Sequence, residues 1–274
     1  MPEDFNPGGF GACYVPAGRA GMDVRVSFGP RWSFRAGAPY SALVVTVEAP
    51  PPGSAPQQSH PQSRMNWRDS AGRVRLEMQG QTINGDCPNI LVQIEDPVAG
   101  YAYVLDTLDK IAHRIPVHFV PQGDPRPLPA PRTLRDGETV VTESIGTQSV
   151  SGLSVTRTQQ TKTCPNGFVH DSKPNPVTPE WQAARPRGEC LPEPLPGVMA
   201  PAADISEHWS SPELHMSVFA KYTDHKGNTS TTTLQNLQLT DPDPALFQIP
   251  AGYRIVDEPD ARVVTFTIPL PPQN

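Results

Sequence analysis

The chain has 274 residues, 35 of them proline and 21 glycine, a proline load that excludes a helical bundle because each interior proline costs a helix about 3 kcal/mol. With 22 basic against 28 acidic residues the formal charge is −6, which argues against a sequence-independent grip on nucleic acid or an anionic membrane surface. Hydrophobic residues make up 36%, enough for a core, and no apolar run approaches the ~20 residues of a membrane-spanning helix.

Residues 1–22 are glycine-rich and aperiodic and read as an N-terminal arm. Val24, Val26 and Phe28 then alternate with polar residues, the period-two pattern of a half-buried strand. Leu43, Val45 and Val47 repeat it until Ala49-Pro50-Pro51-Pro52-Gly53 stops them, and residues 50–61 read as a loop. Met65 and Trp67 lead into Asp69-Ser70-Ala71-Gly72, a type I-like turn. Past it, Val74, Leu76 and Met78 alternate with Arg73, Arg75 and Glu77, so one face reads as apolar and the other as wet. Ile90 to Ile94, Tyr101 to Leu105 and Ile111 to Phe119 continue a meander through short turns.

Residues 121–132 hold five prolines and form an extended connector. Strands resume at Thr139–Thr142 and Leu153–Thr158. Residues 163–203 have no period and read as a proline-rich surface insertion, with one short helical turn expected near Pro179-Glu180-Trp181-Gln182. Met216 to Tyr222 and Thr229 to Leu239 are strand sequence, and Val264 to Ile268 gives a last strand. Asp241-Pro242-Asp243-Pro244-Ala245-Leu246-Phe247 offers an aspartate N-cap followed by proline, predicting a single helical turn. The expected fold is therefore mainly β: an antiparallel curved sheet or half-barrel meander with long proline-rich loops and only short helical turns. One β domain is expected over 23–268, with a proline tail at 269–274.

The four cysteines form no Cys-x-x-Cys pair, so a structural zinc site is not indicated. Of the three possible pairings, Cys164–Cys190 is favoured because the two flank the insertion, leaving Cys13–Cys87. Disulfides imply an oxidising compartment, periplasmic or extracellular. Met1-Pro2-Glu3-Asp4 lacks the basic and apolar runs of a signal peptide, so the expectation is a leader already removed. Four reduced thiols in a cytosolic protein is the alternative.

Gly37-Ala38-Pro39-Tyr40-Ser41-Ala42, Trp67-Arg68-Asp69-Ser70-Ala71-Gly72-Arg73 and Asp96-Pro97-Val98-Ala99-Gly100-Tyr101-Ala102-Tyr103-Val104-Leu105-Asp106 occur in that order. Ile145-Gly146-Thr147-Gln148, Trp209-Ser210-Ser211-Pro212-Glu213-Leu214 and the Asp241–Phe247 segment follow. The series resembles a family of uncharacterised secreted proteins of acidobacterial type, over roughly residues 37–256. The resemblance implies a cleaved signal peptide and assigns no activity. Its sheet pattern is similar to the half-barrel of outer-membrane lipoprotein carrier proteins, a likeness of fold alone. The insertion at 163–203 and the N-terminal arm depart from the family. The shared segments also read as folding signals: turn formers, and capped single turns that pin Leu214 or Phe247 in the core.

No Gly-x-Ser-x-Gly elbow, phosphate-binding lysine loop, dinucleotide glycine fingerprint or His-Glu-x-x-His occurs, so no catalytic residue, metal or cofactor is expected. His113 and His118 lie five apart in what reads as one strand, on opposite faces. His208 and His215 flank a turn that brings them toward Glu207. Trp67, Tyr101, Tyr103 and Phe119 fall on neighbouring strands and are the candidate ligand-binding residues, with Trp209 and Phe219 joining from the second half. Such a face suits a lipid, polyphenol or glycan; its alternative is an ordinary aromatic core. The leading function is an extracytoplasmic, non-enzymatic binding or envelope-associated module for a hydrophobic small molecule or envelope component. The competing readings are a self-assembling surface protein and a secreted hydrolase with a site scattered across strands.

Overall fold

The computed structural model describes residues 21–27, 32–54, 61–82, 85–107, 109–123, 127–134, 137–168, 190–191, 199–258 and 263–269. Strands dominate them, and no α-helix occurs among the described residues. β1 (Gly21–Ser27) and β2 (Trp32–Phe34) open the chain. A meander follows: β3 (Tyr40–Ala49), β4 (Gln62–Arg68), β5 (Val74–Thr82), β6 (Gly85–Asp96), β7 (Tyr101–Asp106) and β8 (Ile111–Pro116). After the short β9 (Phe119–Pro121) and β10 (Arg132–Thr133) comes a second meander. It comprises β11 (Thr139–Val150), β12 (Leu153–Cys164), β13 (Ala202–Ser211), β14 (Met216–Thr223) and β15 (Thr229–Gln238), before β16 (Arg254–Asp257) and β17 (Val263–Pro269).

The two meanders are one sheet. β15 pairs antiparallel with β3, so thirteen strands run from β10 through β15 and β3 to β8 and β16 without closing. β16 adds to β8 in parallel. β1 pairs with β17, and β2 with β9, in two separate two-stranded sheets. The single strand expected from Ile111 to Phe119 is instead two, β8 ending at Pro116 and β9 starting at Phe119. His118 therefore lies between strands, its carbonyl accepting from Trp32 N at 3.1 Å.

The turns form where the sequence places them. Gly72 (φ +85°) closes the Asp69 turn, donating to Asp69 O at 3.0 Å. A Cβ there would meet Phe34 at 2.9 Å and Arg35 O at 3.0 Å, so only glycine lets the 34–38 loop seat on this hairpin. Asp243 caps the turn Pro244–Phe247 by accepting from Ala245 N, and Phe247 is buried. Ser211 Oγ accepts from Leu214 N at 3.2 Å, holding Leu214 in the core.

The Cys164–Cys190 disulfide is present, with Cα atoms 5.1 Å apart. Phe168 and Ala202 bury it, and Phe168 stacks on His225 at 4.3 Å. Cys13, the helical turn expected near Pro179–Gln182 and most of the insertion lie outside the described residues, as does the Cys87 side chain, so the Cys13–Cys87 pairing does too.

Candidate binding face

Directly opposed residues of an antiparallel pair share a face, so the registers sort β3 to β8 into two surfaces. One carries the rows Tyr40–Arg68–Val74–Glu95–Ala102–Ile115 and Ala42–Asn66–Leu76–Gln93–Val104–His113, with Val44, Arg64, Met78 and Leu91 beyond them. The other carries Trp67–Arg75–Ile94–Tyr103–Arg114 and Met65–Glu77–Val92–Leu105–Ala112. They are named here the Asn66 face and the Trp67 face.

The Asn66 face is apolar along β5 and β7, polar along β4, and mixed along β6, where Leu91 precedes Gln93 and Glu95. Ala42, Ala102 and Val104 are wholly buried, and Val44, Leu76, Leu91 and Ile115 nearly so. Among them sit Asn66 and Gln93, each 3% exposed, and Arg68 at 7%. Such groups are tolerated inside only when hydrogen-bonded. Arg68 meets this through its main-chain partners: Nε donates to Ala38 O at 2.7 Å and Nη2 to Leu214 O at 2.8 Å. It thereby ties the 34–38 loop and the β13–β14 turn to β4, and its guanidinium lies 4.9 Å over the Tyr40 ring. Tyr40 shares a side-chain hydrogen bond with Asn66, and burial pushes its phenol up. Asn66 Oδ1 is buried and makes no hydrogen bond.

The second polar column is Gln93 and Glu95, two strands from Arg68 and so about 10 Å across the sheet. Burial pushes the Glu95 carboxyl from 4.5 up to about 8, against the opposing pull of the Gln93 amide, 3.1 Å away, and the charge of Arg64. Burial also draws Arg64 and Arg68 below the usual guanidinium value.

The Trp67 face is filled largely by the chain itself. Val92, Ile94, Leu105 and Ala112 form a core cluster on which Tyr103, Ile249 and Tyr253 pack. Arg75 donates to Leu246 O at 2.9 Å and pairs with Glu77 at 2.6 Å. Of the sequence-predicted residues, Trp67, Tyr101 and Tyr103 share this face, the two tyrosine rings 6.2 Å apart. Phe119 lies in the β2–β9 pair, edge-on to Trp32 at 6.4 Å. Trp209 sits between Phe219 at 4.3 Å and the Arg157 guanidinium at 5.2 Å, and packs against the cluster of Tyr40, Ala42, Leu153, Val155, Leu214 and Val218.

The histidines do not converge. Glu207 and His208 point to opposite faces of β13, and the Glu207 carboxyl is held below its usual range by hydrogen bonds from Trp209 and Arg157. No group of three His, Cys, Asp or Glu suited to a metal ion forms among the described residues. No helix among them is long and apolar enough to cross a membrane.

The residues that sequence reading missed are Arg64, Asn66 and Arg68. Their signal was available: three hydrogen-bonding side chains at period two in Gln62–Arg68, interleaved with Met65 and Trp67.

No protein-family model matches the chain, and no curated protein matches it in sequence. Among solved structures the chain is similar to MucB, at 10% identity and a TM-score of 0.35 over 78% of this chain. It spans 58% of the MucB chain. It is also similar to the lipoprotein LppX of Mycobacterium tuberculosis (10% identity, 72% of this chain and 85% of that one, TM-score 0.27). LprF of Mycobacterium bovis gives 10% identity, 75% and 90% coverage and a TM-score of 0.28.

Proposed function

We propose that this chain is a non-enzymatic binding module of an oxidising, extracytoplasmic compartment, and that it takes a hydrophobic small molecule on the Asn66 face. The observation that supports this reading is the composition of that face: apolar side chains from five of the six strands β3 to β8 (Val44, Leu76, Leu91, Val104 and Ile115), with a few polar groups among them. Binding sites for small molecules share that make-up, an apolar lining with a small number of orienting polar groups. The Cys164–Cys190 bond supports the compartment.

The test is titration with a polarity-sensitive naphthylamine probe, followed by displacement with a long-chain amphiphile. Saturable binding that Met78→Arg weakens supports the reading, since Met78 is a half-buried member of the Asn66 face. An absence of saturable binding overturns it.

A second reading places the ligand on the Trp67 face, favoured by the common face of Trp67, Tyr101 and Tyr103. It ranks second because the polar groups of that face are already engaged, Arg75 with Leu246 O and with Glu77. Binding lost in Trp67→Ala and kept in Met78→Arg selects it.

A further inference from the structure

Independently of the binding-module reading, we propose that the outer edge of β11 is a docking edge for an extended strand. Its occupant is the chain's own proline-rich segment Pro127–Pro131, which zips on as a continuation of β10 and closes this end of the large sheet.

β10 and β11 form one end of the thirteen-stranded sheet, and their pairing covers only Arg132–Val140 and Thr133–Thr139. Beyond Val140, β11 runs on to Val150 with no strand on its outer side among the described residues. Alternate N–H and C=O groups of that stretch face outward, the arrangement by which a sheet recruits a further strand. Side chains guard it little: from Val141 to Val150 there is no proline or lysine, and Glu143 is the one charged residue. The register shift between Ser144 and Gly146 bends the strand at Ile145, which leaves Val141–Ser144 as the part in line with β10.

The hairpin between β10 and β11 fixes which groups face out. Leu134 N donates to Glu138 O at 2.8 Å, and Gly137 N donates to Leu134 O at 3.1 Å, so Leu134 and Glu138 are a hydrogen-bonded pair. Such pairs alternate along an antiparallel ladder, which makes Arg132–Val140 hydrogen-bonded and Thr133–Thr139 not. The same register, continued, sets Pro131 against Val141, Ala130 against Thr142, Pro129 against Glu143 and Leu128 against Ser144. Every proline then falls where the missing N–H would have pointed to solvent, and Ala130 and Leu128 aim theirs at β11. Outward edge positions are where a sheet tolerates proline, and prolines there deny donors to any further strand. Prolines one residue out of step would instead block the pairing. In the structure Pro127 to Leu134 are exposed at every position, Leu128 at 46%, so the segment leaves no packing site when it swings onto the edge. Alternating proline also keeps it extended beforehand, which lowers the entropy lost on pairing.

Amide hydrogen exchange of the full chain, read by NMR at Leu128, Ala130, Thr142 and Ser144, tests this. The expected exchange is about tenfold slower than that of an unstructured chain, the size of one net backbone hydrogen bond. Exchanging two neighbours, Pro129→Ala with Ala130→Pro, keeps the composition and turns a proline toward β11; it should return Thr142 and Ser144 to the unprotected rate. Pro129→Ala alone leaves both inward donors in place and should keep the protection. Unprotected Thr142 and Ser144 in the native chain overturn the proposal, as does equal loss of protection in Pro129→Ala and the exchanged variant. Protection that grows with protein concentration and survives the exchange places a second copy on the edge and overturns the strap as its occupant.

Discussion

Replacing Glu95 by glutamine isolates the energetics of the polar column. Folding raises this carboxyl from 4.5 to about 8, so between those values the folded chain holds a proton that the unfolded chain has released. The resulting stability is complete below pH 4.5 and is lost as pH rises through about 8, at about 1.4 kcal/mol per pH unit. Over that window the ceiling is about 5 kcal/mol. The Glu95 side chain keeps some contact with solvent, which screens the effect, and we expect about 2 kcal/mol. Glutamine keeps the shape and cannot ionise, so the variant escapes the loss. Urea unfolding of both proteins from about pH 5 to about pH 9 should show the variant gaining relative to the native chain until about pH 8 and levelling off beyond. In thermal melts the same gain is a shift of about 5 °C. A difference that does not change with pH, or one that favours the native chain as pH rises, refutes the reasoning, because it means Glu95 is ionised and paired when folded.

Removing the disulfide with Cys164→Ser and Cys190→Ser frees a loop with a sequence separation of 26 and should lower the unfolding free energy by about 3.5 kcal/mol in the chain-entropy picture; urea midpoints with and without reductant check it. Arg68→Met strands Ala38 O and Leu214 O and should cost about 3 kcal/mol. Arg68→Lys should not restore it, because one ammonium cannot reproduce the guanidinium fork that spans both carbonyls. Phe168→Ala removes a ring that is 1% exposed and should cost about 3–5 kcal/mol, with the His225 ring protons losing their upfield shift in the NMR spectrum as the 4.3 Å stack disappears.

The parts of the fold that were legible in the sequence are those governed by local chemistry. The Asp69–Gly72 turn, the Asp243 cap and the Leu214 turn each follow from residues adjacent in the chain. The pairing of Cys164 with Cys190 follows from their position at the ends of a segment with little else to order it. Register was not legible, and register decides the site. Met65 and Trp67 lead into the turn and Val74, Leu76 and Met78 leave it, and only the pairing shows that Trp67 opposes Arg75 while Asn66 opposes Leu76. The buried face of β4 is thus its polar one, a case where period two identifies a strand but not which side is covered. The joining of β15 to β3 brings together residues about two-thirds of the chain apart, a contact on which local pattern is silent. Phe119 was read with the tyrosines because Ile111 to Phe119 looked continuous, and the break after Pro116 moves it to a different sheet.

The most direct test of the binding-module reading is a crystal structure of the chain grown with a saturating long-chain amphiphile. The binding-module reading predicts acyl density along Val44, Leu76, Leu91 and Val104 of the Asn66 face. Density for the chain against Trp67 and Tyr103, or no bound molecule at all, contradicts it.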